Sequence, residues 1–212
     1  MDAISQFFHS LFSSDGLRQI ITNGGVPLLC LIIFAETGLL IGFFLPGDTL
    51  LFLAGSLSAT GEIQISFFLL ILLLTLSAII GNSVGYFIGA KAGKTLFERP
   101  HSRFFNRDHF IKTHNFYEKY GGITMILARF IPIVRTFAPV VAGTVEMSKK
   151  KFTLYNIIGA VLWIGGVTAL GYFLGEEFPN IIKYLQLAVI GVVILSLLLP
   201  VIQWLRTRKA GS

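Results

Sequence analysis

Long apolar blocks dominate this chain, and short polar or basic stretches separate them. Ile4, Phe7, Phe8, Leu11 and Phe12 fall on one face of a helix. That spacing predicts a short amphipathic helix lying on a membrane surface rather than crossing it. Ser13-Ser14-Asp15-Gly16 ends it and can cap the next helix. Residues 26–57 are almost wholly apolar but are cut by Pro46-Gly47. Residues 63–90 form a run long enough to span a bilayer, which needs about 20 residues. Residues 91–120 are polar and basic, with Phe104, Phe105, Phe110, Phe116 and Tyr117 interleaved. They predict one or two further interfacial helices. Residues 123–145 are apolar again, broken by Pro132 and Pro139. Two more spans are predicted at 152–174 and 181–205, joined by Gly175-Glu176-Glu177-Phe178-Pro179-Asn180.

Composition turns this pattern into a class. Of 212 residues, 54% are hydrophobic and 13% charged, with mean hydropathy +0.76. Soluble domains carry about 25% charged residues. The chain is therefore read as an all-α membrane protein, a single membrane domain over 1–212 with no room for a separate catalytic module. The net charge of +6 comes from Lys and Arg gathered in a few loops. That is the habit of cytoplasmic membrane segments, not of nucleic-acid binding. The single cysteine, Cys30, lies in an apolar run and reads as a packed thiol. No basic leader precedes the first apolar stretch, so no signal peptide is expected.

An internal repeat is legible. Phe44-Leu45-Pro46 recurs as Phe130-Ile131-Pro132, Ala54-Gly55 as Ala142-Gly143, and Gly85-Tyr86-Phe87-Ile88-Gly89 as Gly171-Tyr172-Phe173-Leu174-Gly175, each 86 to 88 residues later. Asn23-Gly24-Gly25 and Tyr120-Gly121-Gly122 open the two units. Recurrence in order at near-constant offset points to duplication, with repeat 1 at 24–90 and repeat 2 at 121–175. Charge then sets the topology. Residues 91–120, Lys149-Lys150-Lys151 and the tail with Arg206, Arg208 and Lys209 are basic and belong inside. The connections with Glu62, Glu176 and Glu177 belong outside. Segment 123–145 thus enters and leaves on one face, as a re-entrant hairpin tipped near Pro132. The repeat predicts a second hairpin near Pro46-Gly47, opening outside. The whole is an inverted-repeat bundle with flanking amphipathic helices and a C-terminal transmembrane helix. Arg18, Gln19, Asn23, Gly24, Gly25 and Pro27 make 17–34 a poor span, which puts the N-terminus outside. If that stretch crosses, the N-terminus is inside.

Glu36, Asp48, Arg129 and Arg135 sit within the apolar runs. A charge at the bilayer centre costs from roughly 2.5 to over 10 kcal/mol. Such residues persist where they pair, face a wet cavity, or work. The bland reading is a set of ion pairs that lock two hairpins together. The functional reading is anion handling. Arginine offers a planar fork of donors to a phosphate and keeps its charge. Helix N-termini at a broken hairpin add positive potential. The carboxylates can take up and release a proton, which the arginines cannot. Elsewhere the chemistry is thin. His9, His101, His109 and His114 lie outside the apolar runs and lack metal-ligand spacing, so no metal or other cofactor is expected. Nucleotide-loop and nucleophile-elbow motifs are absent. The glycines at 81–89 and 159–175 read as close helix-packing positions. Asn82 and Asn156 read as interhelical hydrogen-bond partners, Trp163 as part of a span and Trp204 as part of an interface belt.

At these residues the chain resembles the DedA family, also called the VTT or SNARE-associated domain group. The resemblance rests on Phe34-Ala35-Glu36, on Phe43-Phe44-Leu45-Pro46-Gly47-Asp48 and on Gly81-Asn82-Ser83-Val84-Gly85-Tyr86. In the second half it rests on Ala128-Arg129-Phe130-Ile131-Pro132-Ile133-Val134-Arg135-Thr136 and Ala142-Gly143. It covers roughly residues 20–180. It implies a multi-pass protein of the bacterial inner membrane with two re-entrant hairpins and a cytoplasmic C-terminus. Members are linked to lipid translocation, including recycling of polyprenyl phosphate and movement of phosphatidylethanolamine. They are also linked to the proton-motive force, envelope integrity, and tolerance of alkaline pH and cationic drugs. The acidic and arginine pairs that characterised members need map onto Glu36, Asp48, Arg129 and Arg135.

The leading expectation is thus a flippase, not an enzyme, for a phosphate-headgroup lipid. Undecaprenyl phosphate comes first among these, and protons are coupled through Glu36 and Asp48. The alternatives are a proton-coupled exporter of small cations or drugs, a phosphatidylethanolamine translocase or scramblase, a lipid-phosphate phosphatase, and a structural membrane protein. A homodimer is compatible with the sequence, though nothing in it argues for one.

Overall fold

The computed structural model describes residues 14–39, 46–97 and 122–177, which are helical apart from short turns. In chain order the helices are α1 (Ser14–Gly38), α2 (Gly47–Ala59), α3 (Phe67–Phe97), α4 (122–128), α5 (Pro132–Thr144) and α6 (Lys149–Glu177). The expected surface helix near residues 4–12, the stretch 98–121, residues 40–45 and the expected span at 181–205 lie outside the described residues.

Three helical stretches are long and apolar enough to cross a membrane: Gly16–Gly38, Phe67–Ala92 and Lys149–Glu177. The first corrects the reading of 17–34 on one point: by length and composition it qualifies as a span. Its polar residues Arg18, Gln19 and Asn23 are exposed, while Leu17, Ile21, Leu29 and Ile33 are buried. Gly25 adopts φ 61°, a conformation that favours glycine, and the helix kinks there, two residues before Pro27. A second correction concerns α3, which runs on to Phe97 instead of giving way at residue 91. Nothing between Ala90 and Phe97 breaks a helix, and Pro100 comes only later.

A third correction concerns Pro139, expected to break segment 123–145. The break falls at 129–131 instead, and Pro132 starts α5, where a missing N–H is harmless. Pro139 lies inside α5. Its ring is accommodated because it faces Gly85, which has no side chain in the way.

α3 and α6 run antiparallel. Tyr86 stacks on Phe152 with ring centroids 4.3 Å apart, and Phe67 meets Tyr172 at 4.5 Å. Each also receives a short helix from the other half of the chain. α2 lies along α6, where Gly55 meets the Thr168 carbonyl and Gly171 meets the Phe52 carbonyl. α5 lies along α3, where Gly143 meets the Tyr86 carbonyl and Gly89 meets the Val140 carbonyl. At all four positions a Cβ would overlap backbone. Lipid tails are as apolar as leucine, so such close backbone packing replaces hydrophobic burial as the main cohesive force. The expectation of glycine packing holds here, but Gly165 and Gly166 face open space.

Two apolar clusters result. One joins Leu17, Ile33, Leu50, Leu53, Leu74 and Ile164, with Cys30 packed against it. The other joins Tyr86, Met125, Ala142, Val145, Met147 and Phe152. The outer surface is also apolar: Phe68 is 80% exposed and Phe173 64%. Helices that are hydrophobic on every side suit a lipid surround.

Gly143→Val and Gly171→Val should each destabilise the protein by about 1–3 kcal/mol through overpacking. Gly165→Ala should leave stability unchanged. Thermal unfolding in detergent reads all three, and equal melting across the set would contradict the packing described.

Candidate functional site

Three helix ends converge on the polar layer between the two clusters. α1 brings Glu36, three residues after Ile33 and two before Gly38. Gly81 of α3 holds this end of α1, since it lies against Thr37 Oγ1 and the Phe34 carbonyl with no room for a Cβ. α2 starts at Gly47, after Pro46, and carries Asp48 in its first turn. A carboxylate there is favoured by the helix dipole. α5 starts at Pro132 and carries Arg135 in its first turn. A cation there opposes the dipole, so Arg135 depends on acids from elsewhere.

Those acids are Glu36 and Asp48. Arg135 Nη2 donates to Glu36 Oε1 at 2.5 Å, and Nη1 donates to Asp48 Oδ1 at 2.8 Å. One guanidinium thus bridges two carboxylates that come from different helices. Trp163 of α6 completes the site. Its Nε1–H donates to the same Asp48 oxygen at 2.8 Å, and its ring lies 4.4 Å from the guanidinium carbon. The two acids differ in access. Glu36 is fully buried, whereas the Asp48 side chain is 35% exposed. Glu36 Oε2 lies against Gly47, whose backbone N–H faces the carboxylate. A Cβ at residue 47 would occupy that oxygen's place, so only glycine fits.

Arg129 stands apart from this triad. It lies in the turn between α4 and α5 and is 2% exposed. Its Nη2 donates to Asn156, to the backbone carbonyl at 3.1 Å and to Oδ1 at 2.5 Å. Asn156 in turn donates to the Ile79 carbonyl at 3.0 Å, and its amide meets that of Asn82 at 3.1 Å. Arg129 Nε and Nη1 have no hydrogen-bond partner among the described residues.

Of the charged residues singled out from sequence, Glu36, Asp48 and Arg135 therefore form one cluster. Arg129 is held next to it by amides. Pro46, Gly47 and Pro132 stand at the helix starts that aim these side chains, and Pro139 does not. Asn82 and Asn156 do join α3 to α6, as expected. Trp163 was read only as part of a span, and its place in the site was missed. The available signal was its position: tryptophan favours membrane interfaces, yet Trp163 falls near the middle of its apolar run. Among the described residues no three of His, Cys, Asp and Glu gather to hold a metal.

Trp163→Phe keeps a ring under Arg135 but removes the donor to Asp48. It should lower stability by about 1.5–3 kcal/mol. Trp163→Leu should lose about 2 kcal/mol more, because the desolvated cation–π contact goes too. Unfolding in denaturant separates the two steps, and identical losses would mean the ring contact contributes nothing.

Comparison with known proteins gives the chain a family. The VTT domain matches residues 45–173. The chain is 44% identical over 199 residues to Protein DedA of Escherichia coli strain K12, covering 92% of this chain and 90% of that one. It is 40% identical over 195 residues to an uncharacterized membrane protein of Mycobacterium tuberculosis, covering 92% and 85%. It is 34% identical over 189 residues to the inner membrane protein YqjA of Escherichia coli strain K12, covering 87% and 84%. No solved structure matches the chain. With the VTT domain over most of its described helices and these relatives along most of its length, the chain belongs to the DedA family of membrane proteins.

Proposed function

We propose that the protein moves a phosphate-headgroup lipid between membrane leaflets, with undecaprenyl phosphate as its first candidate, and that protons drive the cycle. The observation that carries this reading is the unequal pairing of two buried arginines. Arg135 is answered by two carboxylates, while Arg129 meets only amide and carbonyl oxygens among the described residues. A phosphate oxyanion has the charge and acceptor geometry that such guanidinium groups lack. In the proposed cycle the headgroup engages Arg129 and draws Arg135 from its acids. A released carboxylate then takes a proton. Asp48 is the acid open to the surroundings, so the proton enters there. Glu36, buried beside it on the same guanidinium, is a second place for one.

Contacts support an inverted pair of re-entrant hairpins around this site. Arg18 at the start of α1 pairs with Glu62 in the α2–α3 turn at 2.5 Å, so α1 and α2 both open toward that end. Met125 of α4 shares a cluster with Val145 and Met147, so α4 and α5 open toward the other end. That second end carries Lys149, Lys150 and Lys151, and we assign it to the cytoplasm of a multi-pass protein in the bacterial inner membrane. The C-terminus is assigned to the same side.

The cation-exporter reading is weaker. Both acids are already engaged by Arg135, and buried Arg129 repels an entering cation. A phosphatase needs a nucleophile beside a base at the arginines. The side chains described as touching the two guanidinium groups include Glu36, Asp48, Asn82, Asn156 and Trp163, and none of them is a serine, cysteine or histidine.

Liposomes holding the protein and labelled undecaprenyl phosphate test the proposal. Wild-type protein should move the lipid without hydrolysing it, and faster under a proton gradient. Hydrolysis, or no movement, would contradict it. Arg129→Ala and Arg135→Ala should abolish movement. Arg135→Lys should fail as well, because a single ammonium nitrogen cannot reproduce a fork whose two nitrogens serve different carboxylates. Glu36→Gln and Asp48→Asn should insert, and at least one should lose its response to the gradient. If a stable, well-expressed double amide variant kept normal transport, the carboxylates would have no part in the mechanism.

Single cysteines in a Cys30→Ala background test the topology. Positions 123 and 150 should label from the cytoplasmic face, and position 62 from the opposite face. Labelling of 150 from outside alone would refute the hairpin arrangement.

A further inference from the structure

Asn156 deepens the transport reading and rests on it. Its side-chain oxygen and its backbone carbonyl both accept from Arg129 Nη2. Its own amide is fixed by the Ile79 carbonyl and lies 3.4 Å from Ser83 Oγ. Asn82, 1% exposed, meets it from α3. Gly159, one turn further along α6, leaves the space for the arginine: a Cβ there would lie 2.8 Å from both Cδ and Nε of Arg129. Every described element of this pocket orients the guanidinium, yet among the described residues none of them carries a negative charge.

Chemically this is an unusual choice. A carboxamide oxygen accepts a hydrogen bond but leaves the cation uncompensated. A carboxylate of almost the same shape in the same place would pair with Arg129 and relieve the burial of its charge. The neighbouring Arg135 is treated in that opposite way, with a carboxylate on each of two nitrogens. The difference makes sense if the counter-ion of Arg129 arrives from outside the protein.

We propose that Asn156, backed by Asn82, is a positioning residue that holds Arg129 in place without neutralising it, so that Arg129 rather than Arg135 first meets the phosphate oxyanion. Arg135 is then the responsive cation: it leaves its acids only once the headgroup has docked. The two arginines of the site are not interchangeable.

The test compares full-length wild type, Asn156→Asp and Asn156→Ser in detergent, titrated with undecaprenyl phosphate and separately with inorganic phosphate. Thermal unfolding is measured in parallel. Asn156→Asp supplies the missing counter-ion. It should weaken binding by about tenfold or more while the melting temperature holds or rises. Asn156→Ser stays neutral and should bind within a few-fold of wild type. Asn82→Asp places a carboxylate at the same amide pair and should repeat the loss by a second route. If only the lipid binds wild type, the site reads the headgroup in its lipid; if both bind, it reads phosphate itself. Wild-type affinity in both aspartate variants would overturn the assignment. So would a parallel loss of affinity and melting temperature in the aspartate and serine variants, which is the mark of a merely structural residue. A wild-type protein that binds neither probe would instead remove the transport reading beneath it.

Discussion

One guanidinium organises the centre of this protein. Arg135 starts on a helix end whose dipole disfavours it, inside a layer that excludes it from water. It is tolerated because Glu36 and Asp48 reach it from α1 and α2, and because Trp163 lies beneath it from α6. Removing one partner of such a buried pair typically costs about 3–5 kcal/mol, since the other charge is then left alone. Four helices thus share a single electrostatic dependence. Helix breaks put the charges within reach. Pro46 and Pro132 stand at the starts of α2 and α5, so Asp48 and Arg135 both project from first turns.

Close backbone packing makes that convergence possible. Glycines on α3 and α6 let a short helix lie against each, near enough for carbonyl contact. Larger side chains would push α2 and α5 outward and pull Asp48 away from Arg135. The apolar clusters on either side keep the layer dry, which strengthens each charge interaction and raises the penalty for any group left unpaired. Arg129 bears that penalty most clearly. Asn156 satisfies it only in part, whereas Arg135 has a carboxylate on each Nη nitrogen.

The charged residues were legible in the sequence because an ionisable group in an apolar run is conspicuous by its energy alone. Helix class was legible because only helices and closed barrels satisfy the backbone in lipid, and apolar runs this long suit a helix. Asn82 and Asn156 could be seen as bonding partners, but not as the setting of Arg129, because a polar residue on a span does not say which neighbour it meets. Trp163 was hidden by its own apolar bulk. Pro139 misled, since a proline inside a helix is usually a break, and only the bare face of Gly85 shows why it is not one here. The extent of α3 was misjudged because Lys91 and Lys94 looked like the start of a loop, although lysine is a good helix former. Pairing of Arg135 with two acids while Arg129 received none also lay beyond the sequence, because the choice depends on where the helix ends converge.

A phosphate headgroup that reaches the Arg135 cluster must disturb Trp163, which lies against the guanidinium and is placed to report it. The chain has two tryptophans, Trp163 and Trp204, so a Trp204→Phe protein carries one emitter, stacked on the guanidinium in question. Its fluorescence in liposomes, titrated with undecaprenyl phosphate, measures whether the cluster responds. A saturable change in emission is expected, and it should disappear in Arg129→Ala. Transport of the lipid with unchanged Trp163 emission would contradict it, because the cluster would then have stayed closed while the lipid crossed.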